Sequence, residues 1–429
     1  MERKDYPFLE EAIWWDKLPN GLTVAVVPRP GFSQKQAYFV TDFGALHRQF
    51  VMDGETYTCP EGTAHFLEHK MFDMPGGRDV MAEFATLGAN PNAFTSYDMT
   101  AYYFSCADHF ASCLKLLLEF VSTPWFTEES VEKEQGIIGQ EIDMNLDNPG
   151  TRIFHNLMGA MYENHPIREE ILGSRQTIAR ITPQTLYTVH KAFYRPSNML
   201  LCVVGDVDPE EVSRIARQML PAEPLPRVEV CRRWQEAMAC KKDFVTDSME
   251  VSMPNCQLGF KAEPLGKGEE AVVEEMVADL AAEVLFGESS ELYLRLYEQG
   301  VIDSSFGGGF ETVEGMAMLT VAGDSHQPEK MRQAILEQAK KISAEGVEEQ
   351  TFQRLRRSAI GARLRGLDNF DSTCFRICAY YFSGYEYFDF PKLYEKIQPK
   401  HIQQFIGRVV TPQRCCLSVI YPRKKEETQ

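Results

Sequence analysis

The stretch Gly62-Thr63-Ala64-His65-Phe66-Leu67-Glu68-His69-Lys70-Met71-Phe72 constrains this chain more than any other. If it is helical, His65 and His69 lie one turn apart on one face with Glu68 beside them, because residues four apart project from the same side of an α-helix. Two imidazoles so placed can bind one metal ion while the carboxylate reaches a water at that ion, which is the donor pattern of a zinc site. On a surface helix the same trio would be no more than a solvated face. Phe66, Leu67, Met71 and Phe72 interleave with it, so the helix must be mostly buried and its polar face needs a partner. A third ligand has to come from elsewhere in the chain.

At 429 residues the chain is too long for one ordinary core, and two to three domains are expected. Hydrophobic content of 44% excludes a disordered chain. The net charge of −18 argues against nucleic acid and against an anionic membrane surface as partners. Met1 to Pro7 has no apolar core of signal-peptide length and no long apolar run follows, so the expected location is the cytoplasm. The 11 cysteines are odd in number and lack repeated C-x-x-C spacing, which points to reduced core residues rather than disulfides or a cysteine zinc site.

Leu18-Pro19-Asn20-Gly21 is a turn signal before the strand-like run Leu22 to Pro28, and Ala37 to Thr41 is a second strand. The two are expected as neighbours leading into the motif helix. Asp79 to Leu87 reads as a helix closed by Gly88. Asn90 to Thr95 and Thr100 to Phe104 then flank a short polar turn, most simply a structural hairpin. Ala107 to Val121 carries Phe110, Cys113, Leu114, Leu117 and Leu118 at helical spacing. Thr127 can cap a further helix with Glu128 and Glu129 in its first turn, running through Glu141 and stopping before Asn148-Pro149-Gly150. In that helix Glu134 and Glu141 are two turns apart and share a face ringed by Ile137, Ile138 and Ile142. That face offers the third ligand.

Thr182-Pro183 opens another helix, Met199 to Val204 is a buried strand, and Pro209 to Leu220 is a helix. Pro221 to Arg227, with three prolines, is the best linker. This divides the chain into residues 1–220, carrying the motif, a linker over 221–245, and residues 246–429. The last part echoes the first: Gln257 to Phe260 and Ala317 to Val321 read as strands, and Glu269 to Phe286, Pro328 to Ile342 and Glu348 to Leu367 as helices. With Phe72 and Phe286 matched as helix ends, Asp279, Ala282 and Glu283 fall where His65, Glu68 and His69 stand. The second half is then a copy without the site.

His65-Phe66-Leu67-Glu68-His69, then Asn92-Ala93-Phe94-Thr95, then Glu134-x6-Glu141 with Asn148-Pro149 after it, and Phe193-Tyr194-Arg195-Pro196-Ser197-Asn198-Met199, together resemble the pitrilysin/insulinase family of inverted-motif zinc peptidases, which includes mitochondrial processing peptidase. The resemblance implies an α+β fold of two homologous α/β-roll domains in tandem, as in LuxS-like and processing-peptidase-like metallopeptidases. It implies Zn2+ held by His65, His69 and Glu141, with Glu68 as general base and Glu134 as a supporting catalytic carboxylate. It also implies that the edge around Asn92, Ala93 and Phe94 pairs with an extended peptide substrate. Many relatives carry an Arg and a Tyr in the second half that touch the substrate carbonyl. Here the matching stretch is Ser289-Ser290-Glu291-Leu292-Tyr293 to Gly300-Val301-Ile302-Asp303, with Glu291 or Tyr297 in place of the Arg, Asp303 or a nearby Ser in place of the Tyr, and Arg295 within a shifted register. The expectation is a zinc endopeptidase that processes peptides or unfolded leaders as the catalytic subunit of a heterodimer, beside a homologous subunit lacking the zinc motif. A homodimer is the other assembly, and a non-catalytic scaffold or binding subunit the other function.

Overall fold

Met199–Gly205 is buried at every position, and the first half of the chain is assembled around it. The computed structural model describes residues 1–222, 228–231 and 234–423; residues 223–227, within the proline-rich linker, and residues 232–233 lie outside the described residues. The chain opens with strands Glu2–Tyr6 (β1), Glu11–Lys17 (β2), Thr23–Pro28 (β3) and Lys35–Thr41 (β4), then the hairpin of Gln49–Met52 (β5) and Glu55–Thr58 (β6). Helices Thr63–Lys70 (α1) and Val80–Thr86 (α2) precede strands Asn90–Thr95 (β7) and Thr100–Cys106 (β8). Helices follow at Phe110–Ser122 (α3), Glu128–Leu146 (α4), Pro149–Met161 (α5), Arg175–Ile178 (α6) and Pro183–Phe193 (α7); Met199–Gly205 is β9 and Pro209–Met219 is α8.

The second half holds Glu229–Val230 (β10), Phe244–Met249 (β11), Asn255–Ala262 (β12), Glu269–Phe286 (α9), Glu291–Glu298 (α10), Gly307–Val313 (β13) and Met316–Asp324 (β14). It ends with Pro328–Glu345 (α11), Glu349–Gly366 (α12), Phe370–Phe382 (α13), Phe390–Tyr394 (α14), Pro399–Val409 (α15) and Cys415–Pro422 (β15). The helix ends follow from local chemistry. Thr182 and Thr185 form a capping box in front of Pro183, Asn148 caps α5 ahead of Pro149, and the Thr127 hydroxyl accepts from Ser130 N at 3.1 Å.

The chain forms two compact units. One comprises Met1–Ile142, Glu170–Arg232 and Arg363–Asp389; the other comprises Asp143–Glu169, Arg233–Ala362 and Phe390–Gln429. The first contains a seven-stranded sheet in the order β1-β2-β3-β9-β4-β8-β7, with β3 and β9 parallel and the other neighbours antiparallel. The second contains a five-stranded sheet in the order β11-β15-β12-β14-β13, with β11 and β15 parallel and the rest antiparallel. Without β1 and β2 the two sheets agree strand for strand, including the one parallel pair. The expected duplication is therefore present in the topology.

Strands β3 and β4 are not neighbours, contrary to the expectation from sequence. β9 lies between them, parallel to β3 and antiparallel to β4. An apolar strand buried on both faces is more stable inside a sheet than at its edge, and the loop from Pro28 to Lys35 is long enough to cross one strand spacing. β4 is buried on both faces as well. Ala37 and Phe39 enter the main core with Phe66, Leu117 and Leu186, while on the other face Gln36 Nε2 and Tyr38 OH donate to Asp371 of α13 at 3.2 and 2.7 Å.

Helices α5 and α13 occupy equivalent places in the two repeats, yet each packs outside its own stretch of sequence. In the second unit α5 lies on β11, β12 and β15: Arg152 Nε donates to Asp247 at 2.7 Å and Ser418 Oγ donates to the Ile153 carbonyl at 3.1 Å. Gly259 gives the clearance there, since a Cβ at that position would stand 2.5 Å from Met161 Sδ. In the first unit α13 lies on β4 and β9. The 11 cysteines are free, and among the described residues no helix is long and apolar enough to cross a membrane.

His190 of α7 is enclosed by this core, with Nε2 3.0 Å from the Val121 carbonyl and its ring stacked on Tyr194. Burial pushes its pKa down from 6.5 to about 4, only partly offset by that hydrogen bond. The folded state thus binds fewer protons than the unfolded one, so the contribution to stability is complete above about pH 6.5 and is lost as the pH falls toward 4, by as much as ~3 kcal/mol. Urea denaturation at pH 7.5 and pH 5 is expected to show a smaller acid loss for His190→Gln than for wild type. An equal loss would contradict this account.

Candidate metal centre

Gly62 starts the motif helix with φ of +87°, and a Cβ there would meet the Leu172 carbonyl oxygen at 2.4 Å. Only glycine fits both the left-handed backbone and the close approach. From there α1 runs into the core with Phe66 and Leu67 fully buried, and His65 and Glu68 are carried inside with them at 8% and 7% exposure. Helix α4 supplies the opposing carboxylates. Its Ile138 and Ile142 are buried, as the spacing implies, but Ile137 is exposed and does not enclose the Glu134/Glu141 face.

Three donors converge. His65 Nε2 is 3.7 Å from Glu141 Oε1, His69 Nε2 is 3.7 Å from Glu141 Oε2, and one ligand atom from each of the three residues lies within 4.8 Å of the others. Zinc with N and O donors at about 2.0–2.2 Å sets tetrahedral donors roughly 3.3–3.6 Å apart. Each histidine is near that spacing from one oxygen of Glu141, though not from the same oxygen, and three protein donors leave a fourth position for water or substrate.

Glu134 stands outside the trio and accepts from His69 Nδ1 at 3.0 Å. That bond holds the proton on Nδ1 and turns the Nε2 lone pair toward Glu141, the usual outer support of a ligating histidine. His65 has no such support: its Nδ1 is buried without a hydrogen-bond partner among the described residues. Glu68 Oε2 accepts from Thr95 Oγ1 of β7 at 2.6 Å.

The electrostatics separate the groups. Burial, and then the neighbouring His69, push His65 down to about 3, so it is neutral as a ligand must be. Burial also acts to lower His69, but the Glu134 hydrogen bond and the charges of Glu134, Glu68 and Glu141 outweigh it and the net shift is upward. Burial raises Glu68 above the usual carboxylate range, against the opposing pull of the Thr95 bond. Glu68 is thus a better proton acceptor than an exposed glutamate.

Asn92, Ala93 and Phe94 lie on β7, the terminal strand of the seven-stranded order, which pairs with β8 on one side. The expected plain hairpin is present, and its outer strand borders the site through Thr95. Because Thr95 is directed at Glu68, strand alternation puts Ala93 on that same face and Asn92 and Phe94 on the other. Ala93 packs on the core, Asn92 is exposed, and the Phe94 ring meets Tyr103 and Phe375 at 6.2 and 5.8 Å.

Two features escaped sequence reasoning: the Thr95 hydroxyl on Glu68 and the burial of Lys70 at 1% exposure. A Thr in a strand and a Lys on a helix carry no signal of either. In the second half, Glu291 opens α10 and is bound by Lys341 Nζ at 2.8 and 2.9 Å, while Asp303 accepts from the Ser305 backbone and hydroxyl.

Residues 53–175 match the insulinase family, peptidase family M16, and residues 180–359 match the peptidase M16 inactive domain. An uncharacterized zinc protease of Bacillus subtilis, YmfH, is 36% identical over 98% of this chain and 99% of its own length. The chain belongs to peptidase family M16. The fold agrees: the crystal structure of a putative M16-like peptidase from Alicyclobacillus acidocaldarius superposes with a TM-score of 0.92 at 29% identity, over 96% of this chain and 99% of that one. A probable mitochondrial-processing peptidase subunit beta of Schizosaccharomyces pombe is 29% identical over 47% of this chain and 43% of its own length. For this M16 chain, Gly62→Ala is expected to cost about 2 kcal/mol or more, through positive φ and the Leu172 clash together. Chemical denaturation of the metal-free protein measures it, and a wild-type midpoint would refute it.

Proposed function

We propose that this chain is a zinc endopeptidase that cleaves extended peptides or unfolded leader segments in the cytoplasm, as the catalytic subunit of a heterodimer with a homologous chain lacking the zinc motif. The observation that carries this reading is the convergence of His65, His69 and Glu141 within 4.8 Å, with Glu68 held beside them by Thr95. A zinc ion bound by His65, His69 and Glu141 would supply Lewis acidity and lower the pKa of a water toward 7.

Glu68 accepts the proton of the attacking water and returns it to the leaving amine, since its pKa is raised by burial while Thr95 keeps the carboxylate oriented. Glu134 keeps His69 in the ligating tautomer. The backbone of β7 along Asn92, Ala93 and Phe94 takes up substrate as an added strand, which gives affinity without strong sequence demands and selects chains that can extend. Relatives named as zinc proteases support the reaction class, and the relative named as a processing peptidase subunit supports the substrate class. The pairing of Glu291 with Lys341 supports a partner chain, because that position carries a structural carboxylate rather than a cation free to meet a substrate carbonyl. A non-catalytic scaffold is the rival reading.

Metal analysis with cleavage of a quenched-fluorescent unstructured peptide separates the two. Wild type is expected to hold one zinc per chain. Glu68→Gln should retain the metal while kcat/KM falls about 10²–10⁴-fold, and His65→Ala should lose both metal and activity. Wild-type protein without zinc, or with zinc and no cleavage beside its homologous partner, overturns the enzyme reading. Adding that partner is expected to raise kcat/KM by about a hundredfold, the usual worth of a donor to the substrate oxyanion; full activity of the purified chain alone refutes the heterodimer.

A further inference from the structure

Lys70 follows the second histidine of the motif, and its ammonium group is drawn into the protein at 1% exposure. An ammonium group is costly to remove from water unless oxygens surround it. Its Nζ donates to Asp73 at the end of α1 and to the Ser130 carbonyl at 3.3 Å, and stands 3.9 Å from Glu134 Oε2. Ser130 and Glu134 are one turn apart on α4, so one side chain of α1 grips two successive turns of the helix that carries Glu141 two turns further on.

Glu134 therefore lies between two residues adjacent in sequence: Oε1 on His69 Nδ1 at 3.0 Å, and Oε2 facing Lys70. The candidate metal site draws its histidines from α1 and its carboxylate from α4, so its geometry depends on how these helices register. On the reading that His65, His69 and Glu141 hold zinc, we propose that Lys70 is a positioning residue for the metal centre: it anchors Glu134 against His69 and fixes α4 on α1, so that His69 and Glu141 are held ready before the ion arrives. A lysine whose contacts did not bear on Glu134 or on the register of α4 against α1 would contribute to folding but leave metal affinity untouched.

The test compares Lys70→Met and Lys70→Arg, each alone and with Glu134→Gln, by zinc competition against a chromophoric chelator and by the visible spectrum of the cobalt-substituted protein. Lys70→Met is expected to weaken zinc binding about 10–100-fold, the range for loss of an outer support, and to alter the cobalt spectrum. Lys70→Arg should stay within about threefold of wild type, and in the Glu134→Gln background Lys70→Met should cost less than it does alone, because part of its effect passes through Glu134. Wild-type affinity in a folded Lys70→Met protein, or an undiminished loss in the Glu134→Gln background, overturns the inference. If Lys70→Met does not fold, Glu134→Gln and Lys70→Arg decide: weakened binding in the former with retention in the latter supports it, and any other result overturns it. If wild type itself binds no zinc, the proposed function fails rather than the role of Lys70.

Discussion

The burial of polar side chains on α1 is the constraint on which the rest of the first unit depends. Phe66 and Leu67 pull the helix into the core, and His65, Glu68 and Lys70 are carried in with it. Each then requires a partner inside the protein, because an unpaired buried charge costs several kcal/mol. Glu141 faces both histidines, Glu134 meets His69, Thr95 meets Glu68, and Asp73 with Ser130 meets Lys70. The polar side chains of one short helix thus find their partners on α4, at the end of β7 and just past their own helix.

The same arrangement prepares chemistry. Burial alone would make both histidines poor bases, yet Glu134 singles out His69 and reverses the direction of its shift, while His65 stays neutral. Glu68 shares the low-dielectric setting and is moved the other way. Groups that begin with ordinary titration behaviour are thus separated by their surroundings, with His65 moved down and His69 and Glu68 moved up.

The second unit repeats the strand order and the single parallel pair without the polar helix. Where the first repeat carries the motif, its α9 has Asp279, Ala282 and Glu283, of which only Ala282 is buried, so no comparable demand for internal partners arises. Matching to the M16 inactive domain is consistent with that composition. Two equivalent helices, α5 and α13, complete sheets remote from their own neighbours in sequence, which explains why the compact units are not contiguous stretches of chain.

Much of this was legible in the residues. The spacing of His65, Glu68 and His69, and of Glu134 and Glu141, is a property of the helix period and needs no tertiary information, and the caps at Thr127, Asn148 and Thr182 mark helix ends by local hydrogen bonding alone. Periodicity does not reveal which strand inserts beside which, so β3 and β4 read as neighbours until β9 came between them. Nor does it reveal how far a face is covered, so Ile137 read as part of an apolar rim and is exposed. The sequence by itself determined which donors exist and on which helical faces they stand, because that follows from covalent geometry. Only the tertiary structure decided that Glu141 meets both histidines while Glu134 meets one from behind, that Thr95 reaches Glu68, and that Lys70 is enclosed, because these depend on the axial register of α1, α4 and β7, which is set by side-chain packing across the core.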